Sequence, residues 1–98
     1  APAPYLESTA VRPKTTYAIT KCLAEQLLEY YAAARDFRYV ALRVSTVYGP
    51  GQTDPVTLVP ATIRSCLAGT PIVATEGRQT RDFLFVDDLI DCITAVLG

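Results

Sequence analysis

Apolar residues recur with a helical period in the stretch that begins at Thr15, so the pattern predicts a long helix capped by Thr15 or Thr16. The predicted helix carries two apolar stripes. The first stripe consists of Ile19, Leu23 and Leu27. The second continues the face that begins with Tyr17 and Lys21, and its further members are Ala24, Leu28 and Tyr31. One stripe can cover a sheet, and the other needs a second helix, another subunit or further chain.

A nearly unbroken apolar run from Tyr39 to Val44, interrupted only by Arg43, predicts a strand buried on both faces of a parallel sheet. The segment "GPGQTDP" that follows is rich in glycine and proline, which excludes regular structure there. Beyond it the pattern predicts a helix over Thr57 to Ala68, with Pro60 tolerated in the first turn and Gly69 as the C-terminal cap.

In the last third of the chain, the sequence pattern predicts two short strands and a helix. "TPIVAT" and "DFLFV" read as the strands, separated by a turn at "EGRQT", and Asp87 would cap the final amphipathic helix. The order helix, strand, helix, strand, strand, helix is typical of an α/β fold. With 98 residues we expect one partial domain, divided into an extended loop over 1–14, a helix and buried strand over about 15–47, and a further part over about 48–98.

Composition narrows the classes of partner. The chain has 9 basic and 10 acidic side chains, so charge gives no reason to expect nucleic acid or an anionic membrane as partner. The 3 cysteines are widely separated and no histidine is present, which disfavours both a disulfide framework and a zinc site. Because no apolar run has the length of a membrane span, we expect a cytoplasmic protein.

Tyr17 and Lys21 are the first candidates for chemistry. Residues four apart leave the same face of a helix. An ammonium group beside a phenol favours the phenolate, and a tyrosine so placed can exchange a proton with a carbinol or carbonyl oxygen. The alternative is a packed tyrosine beside a solvated lysine, which is the commoner situation on ordinary helices.

The blocks "YAITK", "LRVSTVYGPGQ" and "GRQTRDFLFVDD" occur in this order along the chain. Together they resemble the extended short-chain dehydrogenase/reductase superfamily, in particular its NAD-dependent epimerase/dehydratase branch, which acts on nucleotide sugars. The resemblance implies the C-terminal part of a Rossmann-like α/β fold, with residues 48–98 similar to segments of the substrate domain. It also implies a homodimer formed through the Tyr17–Lys21 helix.

The same resemblance implies roles for individual residues. Tyr17 would be the catalytic acid/base, and Lys21 would hold the nicotinamide ribose and favour the phenolate. The segment from Val44 to Val47 would line the nicotinamide and sugar pocket. Arg81 would bind the diphosphate of the nucleotide sugar, since a guanidinium offers forked donors. For Arg81 the alternative is a surface arginine paired with Asp82. The cofactor implied is NAD, with NADP left open.

The chain departs from the family pattern at several points. Val44 and Thr46 stand where the family usually has proline and asparagine. Thr46 stays a substrate-binding candidate, but it offers only a hydroxyl in place of the amide, so the sequence does not identify the sugar. No G-x-x-G-x-x-G motif occurs, although a dinucleotide site of this kind needs one. We therefore expect a C-terminal piece of a longer enzyme, inactive by itself.

Two other functions stay open at this point. A reductase of a non-sugar carbonyl compound would suit the loss of asparagine at Thr46. A non-catalytic α/β module that self-associates through its helix stripes would suit the missing glycine motif.

Overall fold

The computed structural model describes residues 5–98. Its elements are α1 (Thr16–Arg35), β1 (Thr46–Tyr48), α2 (Leu58–Ala68), β2 (Phe83–Phe85) and α3 (Val86–Leu97). This is a small α/β arrangement, as the sequence predicts. The chain divides into two compact units, Ala1–Ala41 and Leu42–Gly98. The division of residues 1–98 into the segments of one partial domain stays a prediction, and residues 1–4 of its first loop lie outside the described part.

α1 is the main element of the first unit. Thr15 caps it, because its side-chain oxygen accepts a hydrogen bond from the backbone N–H of Ala18 at 3.1 Å. Asp36 ends the helix in the left-handed conformation, with φ 52°. Both predicted apolar stripes are exposed. The half-buried positions of α1 lie on a third face, and they are Ala18, Cys22, Glu25 and Ala32.

The second unit contains a parallel pair of strands joined through a helix. β1 and β2 pair in the register Thr46↔Phe83, Val47↔Leu84 and Tyr48↔Phe85. Parallel strands need a crossover connection, and α2 lies within that connection. The N–H of Thr46 also donates to the carbonyl oxygen of Asp82 at 3.1 Å, which extends the pairing by one bond before β2 begins.

The strand predicted over Tyr39 to Val44 is wrong. These residues have no regular structure, and they are exposed, Val40 by 61%. A strand forms where a neighbour offers hydrogen bonds, and in the described part β2 offers them only to Thr46–Tyr48. Within residues 5–98, the apolar run therefore has neither a pairing strand nor a covering layer.

The strand predicted at "TPIVAT" is wrong for the same reason. Residues 70–75 are irregular and exposed, and Val73 reaches 98% exposure. The assignment of Asp87 as a helix cap is also wrong, because α3 begins at Val86 directly after Phe85. Asp87 and Asp88 instead occupy the first turn, where the helix dipole favours carboxylates.

α2 follows its sequence pattern closely. Thr57 is its N-terminal cap residue, and Pro60 is buried in its first turn. Gly69 ends the helix in the left-handed conformation, with φ 68°, and its N–H donates to the carbonyl of Cys66 at 3.3 Å. The predicted cap at Gly69 is confirmed.

Apart from Pro60, the described residues contain no buried apolar side chain. Large apolar side chains are exposed on all three helices, for example Leu23, Leu67 and Leu97. Large exposed apolar patches mark places where a protein contacts further protein or a ligand.

Candidate functional site

Tyr17 and Lys21 lie together on the first turns of α1. The ammonium nitrogen Nζ of Lys21 is 5.3 Å from the centroid of the Tyr17 ring, within the range of a cation–π contact. Tyr17 is 71% exposed. The first two turns of α1 therefore present a phenol and an ammonium group side by side, in an arrangement that a substrate can approach.

Thr46, Val47 and Val44 belong to one extended segment of the second unit. Thr46 begins β1 and pairs with Phe83. Val47 is half-buried and lines a small cavity of about 250 Å³. Val44 precedes the strand and is exposed. Of the three, Val47 alone lines one of the two cavities described for this unit.

Arg81 lies two residues before β2, and its side chain is exposed. Among the described residues it forms no ion pair with Asp82. The backbone carbonyl of Asp82 accepts from the N–H of Thr46, which brings the start of β1 next to the segment that carries Arg81. Thr46 and Arg81 therefore belong to the same end of the two-stranded sheet, and no described residue forms an ion pair with the guanidinium.

A pocket that the sequence did not predict lies at the carboxyl ends of β1 and β2. Its volume is about 430 Å³, which is within the range of small-molecule sites. The residues that matter most for its chemistry are Tyr48, Gln52, Pro60, Ile63, Arg64 and Phe85. In open α/β sheets, ligands bind outside the carboxyl ends of the strands, and that rule was the available signal.

The turn after β1 forms one wall of this pocket. Pro50 and Gly51 are its central residues, Gly51 has φ 87°, and the N–H of Gln52 donates to the carbonyl of Gly49 at 3.3 Å. Proline followed by a residue of positive φ is typical of a type II turn. A Cβ at Gly49 would clash with the side chain of Val86, so the turn can lie this close to α3 only because residue 49 is glycine.

Hydrogen bonds from two polar side chains hold the opposite wall of the pocket in place. The amide Nε2 of Gln52 donates to the hydroxyl of Thr57 at 3.2 Å, while Gln52 Oε1 is buried and has no hydrogen-bond partner among residues 5–98. A terminal guanidinium nitrogen of Arg64 donates to the carbonyl of Thr53 at 2.9 Å. These bonds tie the loop before α2 to the helix. In the described part of the chain, Oε1 is the buried side-chain oxygen of this wall that lacks a hydrogen-bond donor.

The residues present fit only part of a dinucleotide site. Lys21 and the exposed hydroxyl of Tyr17 could contact a nicotinamide ribose. A pyrophosphate needs a glycine-rich turn between a strand and a helix, and the sequence has no G-x-x-G-x-x-G motif. None of the helices in residues 5–98 combines the length and the apolar character that a membrane span requires.

Known proteins provide the remaining evidence. The NAD dependent epimerase/dehydratase family matches residues 1–98. The chain is 37% identical over 93 residues to the uncharacterized UDP-glucose epimerase YtcB of Bacillus subtilis, covering 94% of the chain and 29% of that protein. It is 36% identical over 83 residues to the CDP-abequose synthase of Salmonella typhimurium, covering 83% of the chain and 27% of that protein.

A third relative is the dTDP-glucose 4,6-dehydratase of Xanthomonas campestris, which is 32% identical over 95 residues, covering 96% of the chain and 27% of that protein. The chain thus spans between a quarter and a third of the length of these relatives. No solved structure gave a significant match. Because the family match extends over all 98 residues, the chain belongs to the NAD-dependent epimerase/dehydratase family.

Proposed function

We propose that these residues are part of an NAD-dependent enzyme that epimerises or dehydrates a nucleotide sugar, and that further chain supplies the pyrophosphate site. The observation that carries the proposal is the Tyr17–Lys21 pair, exposed on α1 with Nζ 5.3 Å from the ring centroid. The names of the relatives, a UDP-glucose epimerase and a dTDP-glucose dehydratase among them, support the substrate class.

Lys21 would hold NAD in part, at the nicotinamide ribose, and the cofactor would supply the acceptor for a hydride from a sugar carbon. The alcohol at that carbon must lose its hydroxyl proton in the same step, so that a ketone forms. Tyr17 receives this proton as a phenolate and returns it to the oxygen when the hydride returns. Lys21 places its positive charge beside the Tyr17 ring while the proton moves, and it can also donate a hydrogen bond to the nicotinamide ribose.

Substrate binding is assigned to the sheet of the second unit. Arg81 binds the diphosphate, because an exposed guanidinium without an ion-pair partner in the described part offers its full set of donors. Thr46, at the same end of the sheet, offers a hydroxyl toward the sugar. Val44 and Val47 supply apolar surface beside the nicotinamide and sugar.

A reductase of a non-sugar carbonyl compound is the second candidate, and Thr46 is the observation that favours it. A hydroxyl cannot replace the paired donor and acceptor of an asparagine amide, so selectivity for a sugar would be reduced at this position.

A substrate panel separates the two candidates. With the complete enzyme and NAD, we expect conversion of at least one of UDP-glucose and dTDP-glucose to a new nucleotide sugar, resolved by anion-exchange chromatography and identified by NMR. Simple ketones with NADH serve as the comparison. Turnover of a ketone without any conversion of nucleotide sugars would contradict the first proposal and support the reductase.

A further inference from the structure

The hydroxyl of Thr20 contacts the backbone of the residue proposed as the acid/base. It donates a hydrogen bond to the carbonyl oxygen of Tyr17 at 2.6 Å. A threonine in a helix divides between two side-chain rotamers, because its hydroxyl can bond the carbonyl three or four residues earlier. Thr20 makes this bond, so the peptide group that follows Tyr17 has a side-chain donor in addition to its helical one.

The same carbonyl oxygen connects the two residues of the proposed pair. In an α-helix the N–H of residue 21 donates to the carbonyl of residue 17, so Lys21 and Thr20 share one acceptor. A second threonine acts on the other side of Tyr17, since the side chain of Thr15 accepts from the N–H of Ala18 at 3.1 Å. Two threonine hydroxyls therefore hold the backbone around Tyr17.

The direction of the Tyr17 side chain depends on this backbone. The ring is 71% exposed, and its contact in the described part is with Lys21, whose Nζ lies 5.3 Å from the ring centroid. The side-chain rotamers that a residue can adopt follow from its backbone dihedral angles. The phenol oxygen lies at the far end of the side chain, so a small rotation of the peptide group displaces it by a larger distance. A displacement of about 1 Å can lower a reaction rate by about a hundredfold.

We propose that Thr20 is a positioning residue for Tyr17. Its hydroxyl holds the Tyr17 carbonyl and thereby sets the direction in which the phenol oxygen meets the hydroxyl of the substrate. The inference rests on the proposed function, because it takes Tyr17 as the acid/base, but it concerns a residue to which that function assigns no role.

Thr20→Val tests this role. The substitution removes the hydroxyl and keeps the branched shape, and α1 should persist because valine and threonine have similar helix propensities. The complete enzyme, loaded with NAD, is mixed with UDP-glucose or dTDP-glucose, and NADH formation is followed in a single turnover. We expect Thr20→Val to slow NADH formation about threefold to tenfold, the range for one hydrogen bond, and to leave the affinity for NADH unchanged. Thr20→Ser keeps the hydroxyl and should retain most of the rate.

Thr94→Val is the matched control. The hydroxyl of Thr94 donates to the carbonyl oxygen of Ile90 at 2.8 Å, which is a bond of the same kind on α3. No catalytic role is assigned to α3, so we expect Thr94→Val to form NADH at the rate of the unmodified enzyme. An equal loss of rate in Thr94→Val and Thr20→Val would show a general effect of losing such a bond and would contradict the proposal.

A double-mutant cycle shows whether Thr20 acts through the Tyr17 hydroxyl. Tyr17→Phe lacks the phenol oxygen, so adding Thr20→Val to it should cause no further loss of rate. If the two losses multiply, Thr20 affects the enzyme independently of Tyr17 and the positioning role is wrong. The cycle decides in the same way if Thr20→Val also weakens NADH binding.

The remaining outcomes separate this inference from the proposed function. An unchanged rate in Thr20→Val, together with a slow Tyr17→Phe, would overturn the role of Thr20 and leave the proposed function standing. An unmodified enzyme that forms no NADH with either nucleotide sugar would overturn the proposed function, and the role of Thr20 with it.

Discussion

Replacing Tyr17 by phenylalanine is expected to lower the turnover of the complete enzyme by about a hundredfold or more, the range for losing a positioned proton donor and acceptor. The substitution removes the hydroxyl and keeps the ring that Lys21 contacts. Affinity for the cofactor should therefore change little. Steady-state kinetics give the turnover, and fluorescence titration with NADH gives the affinity.

The Lys21→Ala variant should behave differently from Tyr17→Phe, because Lys21 is proposed both to assist Tyr17 and to bind the nicotinamide ribose. We expect it to weaken NADH binding as well as turnover. Tyr30→Phe is the matched control, since Tyr30 lies on the same helix, is 65% exposed and has no assigned role. If Tyr17→Phe keeps most of the activity, Tyr17 is an ordinary surface tyrosine and the acid/base proposal is wrong.

The second large effect concerns the assembly of the enzyme. We propose a homodimer through α1, because Leu27 and Leu28 lie on different apolar stripes and both are exposed, by 57% and 42%. A helix with two exposed apolar faces forms a contact with further protein on at least one of them. In a two-fold arrangement, each patch meets its own copy.

A glutamate on the stripe that forms the interface should shift the complete enzyme from dimer to monomer, because a buried charge without a partner opposes association. We therefore expect a raised dimer dissociation constant for either Leu27→Glu or Leu28→Glu in sedimentation velocity. Gln26→Glu introduces the same side chain at an exposed polar position of α1 and should leave the dimer intact. An unmodified enzyme that sediments as a monomer at high concentration would contradict the proposal.

The helices could be predicted because their signals are local. Thr15 caps α1 with its own side chain, and Gly69 ends α2 by adopting a left-handed conformation. Lys21 and Tyr17 meet for the same reason, since residues four apart on a helix are neighbours. In each case the deciding contact lies within a few residues along the chain.

The strands and the pocket could not be predicted in the same way. The apolar runs at Tyr39–Val44 and Thr70–Thr75 contain strand-forming residues, but pairing partners in space decide whether a strand forms. The pocket forms where the turn after β1 packs with α2 and β2. Its lining residues are spread over more than thirty positions of the sequence. The burial of Gln52 Oε1 without a partner in the described part depends on how these elements pack, so no local sequence pattern indicates it.

The central claim is that Tyr17 moves the proton while a sugar carbon gives its hydride to NAD. The most direct test is a single-turnover experiment in which the complete enzyme, loaded with NAD, is mixed with UDP-glucose or dTDP-glucose and the formation of NADH is followed by its fluorescence. We predict that NADH forms on the enzyme with one of the two sugars, and that Tyr17→Phe slows its formation about a hundredfold. Formation of NADH at the same rate in both proteins would contradict the account.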